Sequence, residues 1–169
     1  NHVYNTLVDE LGYLWIATDD GVFKYNGYSF DVFDYDKGLP SNDVWCLTRD
    51  SKNRMWLSSI AAEVGYIQNG VYKNVYKHPD VNAYLIYPIS FFEYGDEIYI
   101  TSAYNGTQIY SVRNDTMAYP GPPFSNNASY AFSNDNIIEF GSVGDTIKFH
   151  KTPSILKSAT EMPIPYKTT

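Results

Sequence analysis

Cysteine is almost missing from this chain: Cys46 stands alone among 169 residues, so no internal disulfide can staple the fold. Set between Trp45 and Leu47, it reads as a small buried hydrophobe of a strand. Histidine is scarce as well. His2, His78 and His150 fall in no ligand or triad spacing, and the sequence calls for no cofactor, no metal and no catalytic residue. No apolar run reaches the roughly 18 residues that a membrane helix requires, and no charged-then-apolar leader opens the chain. Positive charge is also short, with 12 Lys and Arg against 19 Asp and Glu, a net charge of -7, and no basic run. A polyanion is repelled by such a surface, which excludes nucleic acid as a partner. Helical periodicity is absent too, because Tyr, Val, Ile, Phe and Thr dominate every apolar window.

What the chain does have is aromatic and β-branched residues in a repeating frame. Hydrophobic residues make up 44% of it and charged ones only 18%, a balance that folds. The block Asp9-x-x-Gly12-x-Leu14-Trp15-Ile16-Ala17-Thr18 returns as Asp50-x-x-Asn53-x-Met55-Trp56-Leu57-Ser58-Ser59, with both Asp and both Trp 41 residues apart. A period of roughly 40 residues built from short strands signifies stacked sheets or propeller blades. The fold class is therefore all-β, a β-propeller of about four four-stranded antiparallel blades.

The strands can be placed from the same frame. Leu14 to Thr18 and Gly21 to Tyr25 are followed by the hairpin signal Asn26-Gly27, a third strand over Tyr28 to Phe33, a polar loop to Asn42, and a strand from Asp43 to Arg49. In the second repeat the strands run over Met55 to Ser59, Gly65 to Gln68 and Val71 to Tyr76, the last two joined at Asn69-Gly70. Trp15 lies 12 positions before Gly27 and Trp56 lies 14 before Gly70, which puts a two-residue insertion near Ile60 to Val64. Glu97 to Ser102 takes the Trp-strand position in a third repeat, followed by Thr107 to Val112; Asn136 to Gly141 and Asp145 to Phe149 form a fourth. Approximate blades are 1–42, 43–82, 83–125 and 126–169.

With these residues in hand, the chain resembles the two-component regulator propeller family. Asp9, Gly12, Leu14 to Thr18, Gly21, Val22, Tyr25 to Gly27 and Gly38 to Asn42 match its repeat closely, while the second copy departs with Asn53 for Gly and Ser59 for Thr. Asn tolerates positive φ best among non-glycine residues, so Asn53 keeps the turn. The resemblance implies the extracytoplasmic, periplasmic sensor domain of a Bacteroidetes-type histidine kinase, non-catalytic itself, in a ring of about seven blades. Asn1 aligns with Asn42, and the chain reads as a four-blade piece of such a ring.

The residues that make the repeat are expected to be structural. Trp15 and Trp56 wedge adjacent sheets, and Asp9 and Asp50 bond backbone N–H groups two residues on. Asp34-x-Asp36-x-Gly38 lacks the oxygen ligands and distal Glu of a calcium loop, so Asp31, Asp34, Asp36 and Asp43 read as a solvated acidic rim. In an up-and-down blade, the loops between second and third strands share one end with the crossovers between blades. These loops vary in length, which points recognition to Asp19, Asp20, Tyr104 and Asn105. The expected partner is a small-molecule, glycan or protein signal, with a homodimer also possible and the membrane reached only through other parts of a parent chain. A propeller enzyme, lyase or hydrolase, and a structural interaction platform are the alternatives.

Overall fold

The computed structural model describes residues 2–61, 63–77, 88–102, 108–118, 128–132, 136–141 and 147–151. Among the described residues it is all-β apart from one turn of 3-10 helix over Tyr35–Lys37. Strands β1 (Val3–Val8), β2 (Leu14–Thr18), β3 (Gly21–Tyr25) and β4 (Phe30–Phe33) pair in order as one antiparallel sheet. A second follows over β5 (Val44–Arg49), β6 (Met55–Ser59), β7 (Glu63–Gln68) and β8 (Val71–Lys77). Both lie in a first compact unit, Asn1–Ser90.

The second unit, Phe91–Thr169, is built the same way. Its four-stranded sheet is formed by β9 (Pro88–Tyr94), which starts just ahead of the unit boundary, with β10 (Glu97–Ser102), β11 (Gln108–Arg113) and β12 (Thr116–Ala118). A last sheet has three described strands, β13 (Ala128–Phe132), β14 (Asn136–Gly141) and β15 (Ile147–Lys151). Each sheet is an up-and-down meander of the kind that makes a propeller blade.

Alternation along the strands decides which face is buried. Trp15, Ala17, Val22 and Phe33 fall on one face of the first sheet and meet Val44, Leu47, Met55, Leu57 and Ile67 of the second, with Leu39 of the connecting loop completing a single core. Trp15 stacks on Phe33 with centroids 5.6 Å apart and is 7% exposed. The Trp of the first repeat is thus a wedge between sheets, as its spacing implies. Each such side chain is worth about 1.5–3 kcal/mol of burial.

In the two sheets of the first unit the 41-residue period is repeated bond for bond, in the turn between first and second strands. Asp9 Oδ1 accepts from the N–H of Leu11 and Tyr13, both at 3.0 Å, and Asp50 Oδ1 accepts from Lys52 and Arg54 at 3.0 and 2.9 Å. The other carboxylate oxygen takes the indole N–H, Trp15 to Asp9 and Trp56 to Asp50, each at 2.8 Å. Gly12 sits at φ 82 and Asn53 at φ 57, so the Asn departure keeps the left-handed turn. Both first strands also carry an irregularity at the same place, between Val3 and Asn5 and between Val44 and Cys46. The expected backbone bonds two residues on are present, and the bond to the indole is an addition that spacing alone did not reveal.

Three details differ from the strands read off the sequence. The third strand begins at Phe30, because Asn26 to Ser29 forms a four-residue loop in which Asn26 Oδ1 accepts from the N–H of Tyr28 and Ser29. Asn69-Gly70, the same dipeptide, closes a two-residue turn with φ 52 and 78 between the paired Gln68 and Val71. The inserted residues are also divided. Trp15 faces Lys24, nine positions on, and Trp56 faces Tyr66, ten on, so one addition lies in the β6–β7 connection and the other lengthens β7, which starts at Glu63.

Candidate functional site

Two ends of the first unit offer polar groups, and the strand order decides what each contains. The β2–β3 turn and the crossover from β4 to β5 share one end, since the Gly21 N–H donates to Asn42 O at 2.7 Å. This is where the structure places Asp19 and Asp20. Thr18 fixes the turn, its Oγ1 donating to Gly21 O and accepting from the Asp20 N–H, both at 2.9 Å. Asp19 is held by His2, whose backbone N–H reaches Oδ1 at 2.8 Å and whose Nδ1 lies 3.1 Å from Oδ2. The His2 backbone bond first, then its side chain, keeps the Asp19 carboxyl below its ordinary range. Tyr104 and Asn105 lie outside the described residues.

The crossover is tied down by its own side chains. Asp34 caps the helical turn by accepting from the Lys37 N–H at 3.0 Å, and Gly38 ends it at φ 90. Asn42 Oδ1 takes the Tyr35 N–H at 2.6 Å. One acidic residue of the expected rim is therefore a cap. Another, Asp43, lies near Tyr4: burial, then the negative charges of Asp43 and Asp19, push the Tyr4 phenol up. Asp43 Oδ1 is buried and takes no hydrogen bond among the described residues. His2, Tyr4 and Asp43 join Asp19 at this end, three residues that the loop-length argument did not select. The 41-residue offset from His2 to Asp43 was the available signal, because it places them at equivalent points of consecutive repeats.

The opposite end carries the Asp-x-x-Gly and Asn-Gly turns, and between the two sheets it opens a groove of about 400 Å³. Trp15, Phe33, Met55 and Ile67 form its floor, and Lys24, Asp31, Arg49 and Gln68 stand on its walls. Arg49 bridges the sheets, bonding Glu10 at 3.0 Å and Asn53 Oδ1 at 3.1 Å. Lys24 Nζ lies 4.0 Å from the Tyr13 ring centroid and 5.2 Å from that of Trp15. Asp9 beside it is kept below the usual carboxylate range: burial pushes it up, but the Trp15, Tyr13 and Leu11 bonds and the Lys24 charge outweigh that.

The second repeat hardens the same position. Arg54 replaces Tyr13, its Nε bonds Asp50 Oδ2 at 2.6 Å, and its guanidinium lies 5.0 and 4.9 Å from the Trp56 and Tyr66 centroids. In the second unit the tyrosine at the Trp position is engaged differently, by a carboxylate two residues before it on its own strand. Tyr99 donates its hydroxyl to Glu97, which also pairs with Arg113 at 2.7 Å. Burial and that bond push the Tyr99 phenol up. Among the described residues, no three His, Cys, Asp or Glu side chains converge to hold a metal, and no helix is long and apolar enough to cross a membrane.

Comparison with known proteins agrees with this geometry. The two component regulator propeller family matches residues 38–61, which run from the crossover loop through the second Trp strand. Curated proteins give no match. Among solved structures, the extracellular domain of BT3049, assigned to a hybrid two component system of B. thetaiotaomicron, is similar at TM-score 0.64 and 18% identity over 89% of this chain and 21% of that one. The extracellular domain of BT4673, assigned to a one component system of the same organism, is similar at 0.58 and 18%, over 99% of this chain and 22% of that one. The computationally designed Ika4 protein is similar at 0.62 and 10%, over 89% and 91%. The chain spans about a fifth of the length of the two bacterial domains. Residues 38–61 thus match a repeat of the two component regulator propeller family, on a chain whose described sheets are antiparallel meanders.

Proposed function

We propose that the chain is the extracytoplasmic, periplasmic ligand-sensing module of a two-component sensor histidine kinase and performs no chemistry itself. The observation that carries this reading is the family repeat at residues 38–61 on a scaffold whose most regular polar groups are spent on structure. Asp9 and Asp50, which by type could serve as acids or ligands, have both carboxylate oxygens taken by N–H groups of their own turns and Trp strands, and Asp34 spends one oxygen as a helix cap. Likeness to extracellular bacterial domains supports the compartment.

Recognition is assigned in the first unit to the end that holds Asp19 and Asp20, and in the second unit to Tyr104 and Asn105 on the strength of the sequence repeat alone. The partly exposed Asp19 carboxylate, held by His2, offers its remaining acceptor capacity there, near the half-exposed Tyr4 ring. Such a surface suits a donor-rich ligand with an apolar face. Binding can signal only through unequal affinity for two states of the receptor, so a ligand must hold one arrangement of the parent protein better than the other. Thermal shift of the complete propeller against mono- and oligosaccharides, amino acids and small carboxylates tests the reading. A stabilising compound whose effect is lost in Asp19→Ala and Asp20→Ala supports it. Turnover of a compound by the domain, or a stabilising effect indifferent to both substitutions, contradicts it.

A further inference from the structure

We infer that Asn69 is a site of spontaneous backbone modification, converting to aspartate and isoaspartate, while Asn26, in the same Asn-Gly dipeptide, is protected by its loop. The reaction needs three things: a following residue without a side chain, a free backbone nitrogen there, and an amide carbon that can swing toward it. In the step itself the Gly70 nitrogen attacks Cγ of Asn69, a C–N bond forms, and the Cγ–Nδ2 bond breaks. Ammonia leaves, carrying the proton of the Gly70 amide. Solvent water then opens the resulting five-membered imide at either carbonyl, giving aspartate or its β-linked isomer.

Both dipeptides are exposed, so access does not separate them. Hydrogen bonding does. The Asn26 amide is pinned at both ends, with Oδ1 accepting from Tyr28 and Ser29 at 2.9 and 2.8 Å and Nδ2 donating to Ser29 Oγ at 3.1 Å. Swinging Cγ toward Gly27 breaks all three bonds. Asn69 lies in a two-residue turn at φ 52, outside the two bonded strands, and among the described residues no hydrogen bond holds its amide or the Gly70 N–H. Sequence alone ranks the two equally; the turn geometry ranks Asn69 first.

The consequence reaches the groove, since Gln68, Asn69 and Gly70 line it. Aspartate adds a negative charge to the groove that Arg49 also lines. Isoaspartate inserts a methylene into a two-residue connection whose closing pair is Gln68 and Val71, and a register so tightly set cannot absorb an extra backbone atom.

The test uses the purified chain held in mildly alkaline buffer, natively and in urea, then digested with trypsin and read by mass spectrometry. Cleavage after Lys24, Lys37, Arg54 and Lys73 puts Asn26 and Asn69 on separate peptides. In urea the two are expected to convert at similar rates. In the native chain Asn69 is expected to convert several-fold faster than Asn26, and Ser29→Ala, which removes one of the pinning bonds, is expected to raise the Asn26 rate. Equal native rates, a faster Asn26, or no native conversion at Asn69 while the urea sample converts would each overturn the assignment.

Discussion

Replacing Asp50 by Ala should be the most damaging single change in the first unit, and the reason can be worked from its four donors. The Asp50 carboxylate is 1% exposed and accepts from two backbone N–H groups, the Trp56 indole and Arg54 Nε. Ala leaves a guanidinium with 11% exposure and no counter-charge from that side. Breaking a buried pair in this way costs about 3–5 kcal/mol. Asp9 offers the built-in control, because it makes the same backbone and indole bonds with no arginine attached. Water reaches its turn, so Asp9→Ala should cost only about 1–2 kcal/mol. Asp50→Asn keeps Oδ1 and the volume but turns an N–H2 toward two other donors, and should cost about 3 kcal/mol. Adding Arg54→Leu to Asp50→Ala should recover part of the loss, since a leucine over the Trp56 and Tyr66 rings has no charge to desolvate. Urea unfolding followed by Trp fluorescence measures all four. The reasoning fails if Asp50→Ala and Asp9→Ala agree within about 0.5 kcal/mol, or if removing Arg54 makes Asp50→Ala worse.

Other outcomes follow from the same structure. Gly65→Ala should destabilise strongly, because a Cβ there would lie 2.4 Å from Lys73 O and from the Tyr72 hydroxyl, and urea midpoints will show it. Gly21→Ala should do the same, with φ 109 and a Cβ 2.4 Å from Phe33 O. The lowered Asp9 carboxyl contributes stability that is complete above its unfolded value and is lost as pH falls through its folded one. Stability should therefore decline below about pH 4, and Asp9→Asn should flatten that decline in acid titrations followed by fluorescence.

Much of the fold could be read from two Trp strands set 41 residues apart, because a fixed period forces equivalent residues into equivalent bonds. The Asp–Trp pair shows the limit of that reading. Spacing put both residues on one turn and strand, but only the coordinates bring the indole N–H to the carboxylate. Asn26-Gly27 and Asn69-Gly70 fail differently, since one dipeptide is compatible with two loop lengths and the flanking pairing selects between them. Gly65 looks like the first residue of a strand and is an interior position that the Tyr72 ring crosses. Arg54 at the Tyr13 position is invisible in the same way, because its role rests on a charge two strands of packing have closed over. Of the candidate site, the shared end of the β2–β3 turn and the crossover followed from topology. The company of His2, Tyr4 and Asp43 did not, being set by side-chain reach.

The central claim, that this repeat is a scaffold and that recognition belongs to the loops departing from it, is tested most directly by a signalling readout in the longer protein. Asp19→Ala, Asp20→Ala, Tyr104→Ala and Asn105→Ala are compared there with Glu10→Ala and Gln68→Ala from the tight-turn end, at matched expression. The account predicts that the first group abolishes the response to the natural stimulus and the second leaves it intact. A response that survives the first group, or that is lost only with the second, would contradict it.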